Sequence, residues 1–474
     1  MASATKRRKQ RRRSRRLGDC VRQFLTPAVW KQVQNGLTRP WQASRWRIQP
    51  LVLVLVLMTF TCGDSQAERF ESARAVVVAL LPKRRRPGKT VEGFEKALGR
   101  LPMWALRRVS EAVRRRLPKI LARRWVTDGF VVLGCDGSRL ECPRAAALEA
   151  RMGQAGKPDA APTMWLTALV HLATGVPFSW RVGKGTASER DHLKHLLRIL
   201  PLGVLVVCDA GYTGYTLCAF MLKNSVDFMI RLSSTVTLYT TTMQLLETYR
   251  EGVVYYWTDQ ARKAGLPPLR LRLIRRVGTR KGANGKQHYD VWLLTSVLSS
   301  RRLPAERAGL WYRWRWENEG FFRTYKRTLR MVKLTSRTVA LIHREAEGSL
   351  LATQLLLAMT AQSLPASSTA KASPRRAVLE IRCEFQNLIG TRRSLPLSHR
   401  LAEAVRPQRR RSTPKTSRDW PRRKPHKPPG AAELLTMKNL ENNTKPRPPR
   451  PYNTKVFTGV AWHRVAEVVS SAGP

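Results

Sequence analysis

Three acidic side chains are placed where they could bind metal ions together. The apolar runs VVLGCD and VLVVCD each close with cysteine and aspartate, at Asp136 and Asp209. A third carboxylate, Glu319, lies in WYRWRWENEGFFRTYKRTLR (311–330), a segment that is otherwise basic and aromatic. Carboxylate oxygens are the ligands that Mg²⁺ prefers, and two such ions about 4 Å apart can activate the attacking oxygen and stabilise the leaving one in phosphoryl transfer. These residues are therefore candidates for a two-metal site.

The two aspartates require neighbouring strands to bring them together. Continuous apolar runs are typical of fully buried strands, and ligands gather beyond the carboxyl ends of parallel strands. If the two runs form adjacent parallel strands, both carboxylates emerge at the same edge of the sheet. Gly137 and Gly211, which follow closely, would let a bulky polymer backbone approach. The alternative is that each aspartate only forms a turn where its strand ends.

The segment 311–330 is predicted to be a helix with Glu319 inside a basic and phenolic stripe. At about 100° per residue, with Glu319 at zero, the stripe contains Tyr312 near +20°, Arg315 near −40°, Lys326 near −20° and Arg330 near +20°. Glu317 falls at about 160°, so we predict an ordinary solvated residue there. In this interpretation Glu319 meets metal, whereas Tyr312, Arg315 and Lys326 clamp phosphates beside the scissile bond. Arg323 and Arg330 are further predicted DNA contacts.

Composition favours a folded protein with a polyanionic partner. The 474 residues include 87 Lys and Arg against 32 Asp and Glu, for a formal charge of +55. Such a charge opposes compaction unless a polyanion is near, so nucleic acid is the expected partner. The hydrophobic fraction of 43% is enough for a core, which excludes a purely disordered basic chain.

Cysteine usage and hydropathy argue against three further classes of protein. Seven cysteines without a CxxC pair predict neither a disulfide framework nor a zinc knuckle, and they favour a reducing interior. The apolar run LVLVLVLMTF (51–60) is about half the length needed to span a bilayer, so we predict a buried helix or strand and no membrane partner.

Changes in pattern along the chain predict seven segments. They are a disordered basic arm (1–16), a helical DNA-binding region (17–125), the first part of a catalytic core (126–234), a β-rich insertion (235–298), the second part of the core with the Glu319 helix (299–360), a C-terminal helical region (361–403) and a basic, Pro-rich, mostly disordered tail (404–474).

Local signals add detail to the first part of the core. A hairpin is predicted to turn near Thr174 and Gly175. Thr186 and Glu189 have the spacing of a capping box at the start of a helix. His192 and His195 are predicted to lie on that helix's surface, because the helix is basic and amphipathic.

The spacing Tyr312-x2-Arg315-x3-Glu319-x6-Lys326 resembles the Y-x2-R-x3-E-x6-K signature of DDE transposases of the insertion-sequence-four type. The segment DAGYTGY, which begins at Asp209, is similar to the sequence around the second aspartate of that family. The resemblance covers about residues 126–360 and implies that Asp136, Asp209 and Glu319 are the catalytic and metal-binding triad. It implies an α/β fold: a ribonuclease H-like mixed sheet flanked by helices, with a β-rich insertion before the Glu319 helix.

The same resemblance implies the activity and its partners. The expected reaction is Mg²⁺-dependent cleavage at the ends of an insertion sequence and strand transfer into target DNA, through a DNA hairpin, with two Mg²⁺ ions for which Mn²⁺ can substitute. The expected partners are the element's terminal inverted repeats, target DNA and a second copy of the chain in a synaptic homodimer. The expected location is the prokaryotic cytoplasm, at the nucleoid. Two alternatives share parts of the pattern: a ribonuclease H-like nuclease without strand transfer, and an inactive DNA-binding descendant of a transposase.

Overall fold

The computed structural model describes residues 16–38, 46–83, 86–153, 160–233, 236–282, 285–364, 371–390, 397–403 and 405. The predictions of disorder for the basic arm (1–16) and the basic tail (404–474) therefore fall almost entirely on residues outside the described part of the chain.

Helices fill the described sequence before the first strand. They are α1 (Leu17–Phe24), α2 (Pro27–Asn35), α3 (Ile48–Met58), α4 (Gln66–Leu80), α5 (Val91–Arg100), α6 (Met103–Ile120) and α7 (Ala122–Trp125). The apolar run at 51–60 lies mostly in α3, whose residues are all buried except Gln49 and Met58. Within the described ranges, no helix combines the length and the apolar character needed to cross a bilayer.

In the described part of the chain, nine strands form one mixed sheet in the order β3-β2-β1-β4-β5-β9-β8-β7-β6. They are β1 (Val131–Glu141), β2 (Thr163–His171), β3 (Val176–Lys184), β4 (Val204–Cys208), β5 (Asp227–Arg231), β6 (Leu238–Tyr239), β7 (Gly252–Tyr256), β8 (Leu269–Gly282) and β9 (Gly285–Thr295). β4 is parallel to β1 and to β5, and the other neighbouring strands are antiparallel. The first five strands have the ribonuclease H-like order, so the predicted fold class is confirmed.

The β-rich insertion continues the core sheet. Its strands β6 to β9 form an antiparallel meander, and β9 pairs with β5 through Met229 to Arg231. The sequence predicts the β content but not this continuity, because pairing between distant strands leaves no local signal.

The remaining helices pack on the sheet or on the N-terminal helices. They are α8 (Ala146–Met152), α9 (Glu189–Leu197), α10 (Tyr215–Lys223), α11 (Asp259–Lys263), α12 (Ala305–Trp314), α13 (Trp316–Arg323), α14 (Val339–Ser363), α15 (Pro374–Ile389) and α16 (Leu397–Glu403). Helix α14 is buried along most of its length and contacts α3, α6 and β3.

The alternation of side chains along β1 and β4 assigns Asp136 and Asp209 to one face of the sheet. Leu133 and Cys135 join the large core that includes α3, α9 and α14, whereas Phe130 and Val132 join a smaller core with Trp311 of α12. Since successive side chains point to opposite faces, Asp136 points toward the face that carries α12. The same alternation along β4 sends Asp209, which follows Cys208, toward that face.

Candidate active site

Asp136 lies inside β1 and not at its end as the sequence predicts, because β1 continues to Glu141. The pairing of β1 with β4 stops earlier, at Gly134 and Val207. The two strands therefore separate just before Asp136, and this opening exposes 26% of its side chain. Its Oδ1 accepts a hydrogen bond of 2.8 Å from the Gly137 N–H.

Asp209 directly follows β4 and caps the 3₁₀ turn Ala210–Tyr212. Its Oδ1 accepts a hydrogen bond of 2.8 Å from the Ala210 N–H and one of 3.2 Å from the Tyr312 hydroxyl. Parallel pairing of β1 and β4 brings Asp209 to the same edge as Asp136, as expected if the two runs form neighbouring strands.

Arg315 lies between the two aspartates. Its Nη1 is 4.0 Å from Oδ2 of Asp136, and its Nη2 is 3.7 Å from Oδ2 of Asp209. Only 10% of the arginine side chain is exposed, and its Nε has no hydrogen-bond partner among the described residues. The guanidinium also lies 5.6 Å from the Tyr312 ring centroid. The Tyr312 and Arg315 side chains therefore contact each other, and both contact Asp209.

Asn318 fixes the Glu319 helix against β1. It is fully buried beside the strand, and the amide orientation that satisfies both of its polar ends donates to the Gly134 carbonyl at 3.3 Å and accepts from the Cys135 N–H at 3.2 Å. These backbone groups lie where the pairing with β4 ends. Asn318 therefore bonds to backbone groups of β1 at the point where β4 no longer pairs with this strand. It also holds the next residue, the half-buried Glu319, near the aspartates.

The neighbouring charges influence the titration of Asp136. Burial raises the pKa of the Asp136 carboxyl above its ordinary value. The Gly137 hydrogen bond and the Arg315 guanidinium lower this pKa, whereas the negative charges of Asp209 and Glu319 raise it further. A cation between the carboxylates stabilises their ionised forms.

Lys326 reaches the same edge by way of a change in helix geometry. After α13 the chain forms a π turn, Thr324–Thr328, and the Leu329 N–H bonds to the Thr324 carbonyl at 3.0 Å. The Lys326 ammonium donates a hydrogen bond of 2.6 Å to the Ser138 hydroxyl, two residues beyond Asp136. Lys326 is therefore beside the aspartates but is bonded to a neutral group.

Two further predicted DNA contacts, Arg323 and Arg330, are exposed. Arg323 is exposed at the end of α13. Arg330 lies beyond the π turn in the left-handed region, with φ of 58°, and its guanidinium is 3.8 Å from Asp64. The prediction that Arg330 shares a helical stripe with Glu319 is wrong, because the helix ends before it.

Glu317 corrects another prediction. It lies on a different side of the helix from Arg315, yet it is not solvated, since only 13% of its side chain is exposed. Its Oε1 accepts a hydrogen bond of 2.9 Å from the Lys371 ammonium. Glu317 therefore joins the helix to the C-terminal part of the chain.

Helix α9 also differs from its prediction. Its N-cap is Ser188, which accepts a bond of 3.3 Å from the Asp191 N–H, so Thr186 does not form the capping box. His195 is exposed, but His192 is buried and bonded to the Thr167 hydroxyl at 3.1 Å. The packing of α9 on β2 buries His192, which the spacing of charges on the helix cannot predict.

Glu189 is a fourth carboxylate near the site that sequence reasoning missed. It begins α9, is half-buried, and influences the titration of the same groups, since burial first and then the charge of Asp136 raise the pKa of its carboxyl to about 7. Only the fold brings α9 to this edge, so neither spacing nor hydropathy could identify the residue.

The donor atoms suit a hard divalent cation, because the site presents carboxylate oxygens. Within the ranges that the structure describes, however, no three His, Cys, Asp or Glu side chains converge closely enough to hold a metal ion. Arg315 supplies the positive charge between the two aspartates.

A protein-family model matches the part of the chain that carries these residues. Residues 129–355 match the family model described as the transposase DDE domain. This part of the chain is similar to that domain. The match includes both aspartates, the Glu319 helix and the insertion between them, and it supports an enzyme that acts on DNA.

Curated proteins and solved structures provide two further comparisons. No curated protein matches the chain significantly. Among solved structures, the chain is similar to a cryo-EM structure of the piggyBac transposase synaptic complex with hairpin DNA, with a TM-score of 0.40 and 10% identity. That alignment covers 78% of this chain and 80% of the other.

Proposed function

We propose that the protein is a DNA transposase that cleaves the ends of its own insertion sequence and joins them to target DNA. The observation that carries this proposal is the contact of the Tyr312 and Arg315 side chains with Asp209, in a transposase DDE domain where Asp136 lies on the adjacent parallel strand. The motif helix and the two aspartates thus converge at one edge of the sheet.

The proposed roles follow from the chemistry of each group. Asp136, Asp209 and Glu319 are the catalytic carboxylates and would hold two Mg²⁺ ions, or Mn²⁺ in their place. Bound metal ions would supply an activated attacking oxygen and stabilise the charge of the leaving one.

The basic residues of the motif bind and orient DNA in this proposal. Arg315 has a planar donor group that can bind two phosphate oxygens at once, and Tyr312 limits its orientation through ring contact. Lys326 is placed to contact a neighbouring phosphate, since among the described residues its ammonium bonds to a neutral hydroxyl, that of Ser138, and to no carboxylate. Arg323 and Arg330, both exposed, would bind the backbone farther along the duplex.

The larger assembly is also part of the proposal. Helices α1 to α7 would recognise the terminal inverted repeats, and a homodimer would hold two ends in the synaptic complex, with cleavage through a DNA hairpin. The formal charge of +55 supports binding to long DNA. We place the protein at the nucleoid of a prokaryotic cytoplasm.

A joining assay tests the proposed activity against its alternatives. The full chain is incubated with Mg²⁺, a labelled duplex that carries the terminal repeat found beside the gene, and a supercoiled target plasmid. Labelled ends joined to plasmid are the expected product. Cut ends without joined product would identify a nuclease, and bound but uncut ends would identify an inactive descendant.

A further inference from the structure

A cavity lies on the side of the sheet that carries α9 and α14, opposite the face toward which Asp136 and Asp209 point. Its volume is about 280 Å³, and residues of α6, β3, α9 and α14 line it. Small-molecule sites begin at about 300 Å³, so the cavity can hold a small organic ligand. Phe178 and Leu196 in its wall belong to the large core of that side. The cavity is therefore separate from the candidate active site.

The Glu347 carboxylate in the cavity wall can accept more hydrogen bonds than it receives. Only 6% of this residue is exposed. Its Oε2 accepts a hydrogen bond of 2.6 Å from the Trp180 indole N–H, whereas its Oε1 lies 3.8 Å from Nε of Arg107, too far for a hydrogen bond. Each carboxylate oxygen can accept about two hydrogen bonds. Burial raises the pKa of the Glu347 carboxyl, so a further donor would stabilise its charge.

Gln354, two turns farther along α14, provides a second acceptor in the wall of the cavity. Its side chain is fully buried, and its Nε2 donates hydrogen bonds to the Pro177 and Phe178 carbonyls at 2.9 and 3.3 Å. Its Oε1 has no hydrogen-bond partner among the described residues. A buried acceptor without a partner destabilises the protein, and a ligand that donates a hydrogen bond to it removes that cost.

Positively charged side chains line the same cavity. Burial and then the charge of Arg107 lower the pKa of the Arg181 guanidinium. Burial and then the charge of Arg181 lower the pKa of His195, which also lines the cavity. These cations repel one another, so an anion bound among them would be stabilised.

A nucleotide matches all of these features. A metal ion or an amine would suit the acceptors, but the arginines would repel it. Inorganic phosphate would suit the arginines, but it would leave the acceptors without donors. A nucleotide has a phosphate for Arg107 and Arg181, a planar ring that can stack on the half-buried Trp180, and N–H groups that can reach Glu347. Guanine is the base that presents two adjacent donors, N1–H and the N2 amino group, to one carboxylate.

We propose that this cavity binds a guanine nucleotide, with the base donating to Glu347, the phosphate bound by Arg107 and Arg181, and a further N–H or O–H group donating to Gln354. A free nucleotide and an unpaired guanine in a DNA strand present the same groups. The inference goes beyond the proposed cleavage and joining of DNA and does not depend on them.

Calorimetric titration of the full-length chain with dGMP and dIMP tests the site, because hypoxanthine lacks only the N2 amino group of guanine. We expect dGMP to bind about tenfold more tightly than dIMP, a difference of about 1.4 kcal/mol. Phosphate binding by other basic residues contributes equally to both ligands and cannot create this preference. Glu347→Gln should lose the preference, since it removes the carboxylate that accepts both donors.

Two neighbouring arginines of α6 provide a matched pair of variants. Arg107→Gln should weaken dGMP and dIMP alike, because both ligands carry the phosphate. Arg108→Gln removes the same charge at a position that is 57% exposed and outside the cavity lining, so it should bind both ligands as the wild type does. Equal binding of dGMP by Arg107→Gln and Arg108→Gln would place the ligand elsewhere and overturn the inference, even if Glu347→Gln does not fold.

Single-stranded oligonucleotides distinguish the two sources of the ligand. A thymidine oligonucleotide with one central guanine is compared with the same strand carrying hypoxanthine. Preference for the guanine strand would assign the site to unpaired DNA, whereas preference for dGMP alone would assign it to a free nucleotide. No preference for guanine in either comparison, or a preference that survives in Glu347→Gln, would overturn the inference.

Discussion

Replacing Glu317 with glutamine should lower the free energy of unfolding and leave DNA cleavage unchanged. The Glu317 carboxylate is 2.9 Å from the Lys371 ammonium, and the two side chains are 13% and 25% exposed. Fully exposed ion pairs contribute about 0.2–1 kcal/mol, whereas removing one partner of a fully buried pair costs about 3–5 kcal/mol. This pair is intermediate, and the amide retains part of the hydrogen bonding, so we expect a loss of about 1–2 kcal/mol.

Urea unfolding followed by tryptophan fluorescence measures this loss. Lys371→Met and the double variant complete a cycle, in which the two single losses should sum to more than the loss in the double variant. Under conditions where Glu317→Gln is folded, its DNA cleavage should match that of the wild type. An unchanged unfolding midpoint would refute the energetic argument, and loss of cleavage in folded protein would refute the assignment of Glu317 outside the site.

Three other changes give distinct results. Burial lowers the pKa of His171 from 6.5 to about 4. The contribution of neutral His171 to the free energy of unfolding is therefore complete above pH 6.5 and is lost as the pH falls toward 4. His171→Gln should reduce the acid sensitivity of urea unfolding by about 3 kcal/mol, and equal sensitivity in both proteins would contradict this. Arg315→Lys keeps the charge but loses the planar donor, so hairpin formation and joining should suffer more than first-strand nicking in a gel assay, whereas equal loss at every step would count against the role. Ser138→Ala frees the Lys326 ammonium from its 2.6 Å bond and should change cleavage less than Lys326→Met does; the reverse order would show that the hydroxyl itself contacts DNA.

Sequence patterns predicted the parts of the site that depend on local periodicity. The two apolar runs form parallel neighbours, which places Asp136 and Asp209 at one edge. The helical angle placed Tyr312 and Arg315 on one side of their helix, and both contact Asp209. Whether these residues and Glu319 perform the chemistry remains a prediction.

The wrong predictions for the site have a common physical cause. An angle around a helix gives the direction of a side chain, but it does not show what packs against that side chain. Glu317 is on the predicted side but meets Lys371, which is 54 residues away in the chain. The angle for Arg330 assumed a constant turn, whereas the π turn and the helix end change the geometry before that residue. Glu189 approaches from another helix across a strand opening, and no local pattern encodes that contact.

Cleavage by the two glutamate variants tests the central claim most directly. Glu319→Gln and Glu317→Gln are compared on a duplex carrying the terminal repeat, with Mg²⁺, after folding and DNA binding have been verified. Glu319→Gln should bind the duplex at least as well as the wild type and lose cleavage by several orders of magnitude, because it removes a proposed metal ligand and, with it, a negative charge at the proposed phosphate site. Glu317→Gln should cleave at close to the wild-type rate. Cleavage by Glu319→Gln at the wild-type rate, or inactivity of Glu317→Gln alone, would contradict the assignment of Asp136, Asp209 and Glu319 as the catalytic triad.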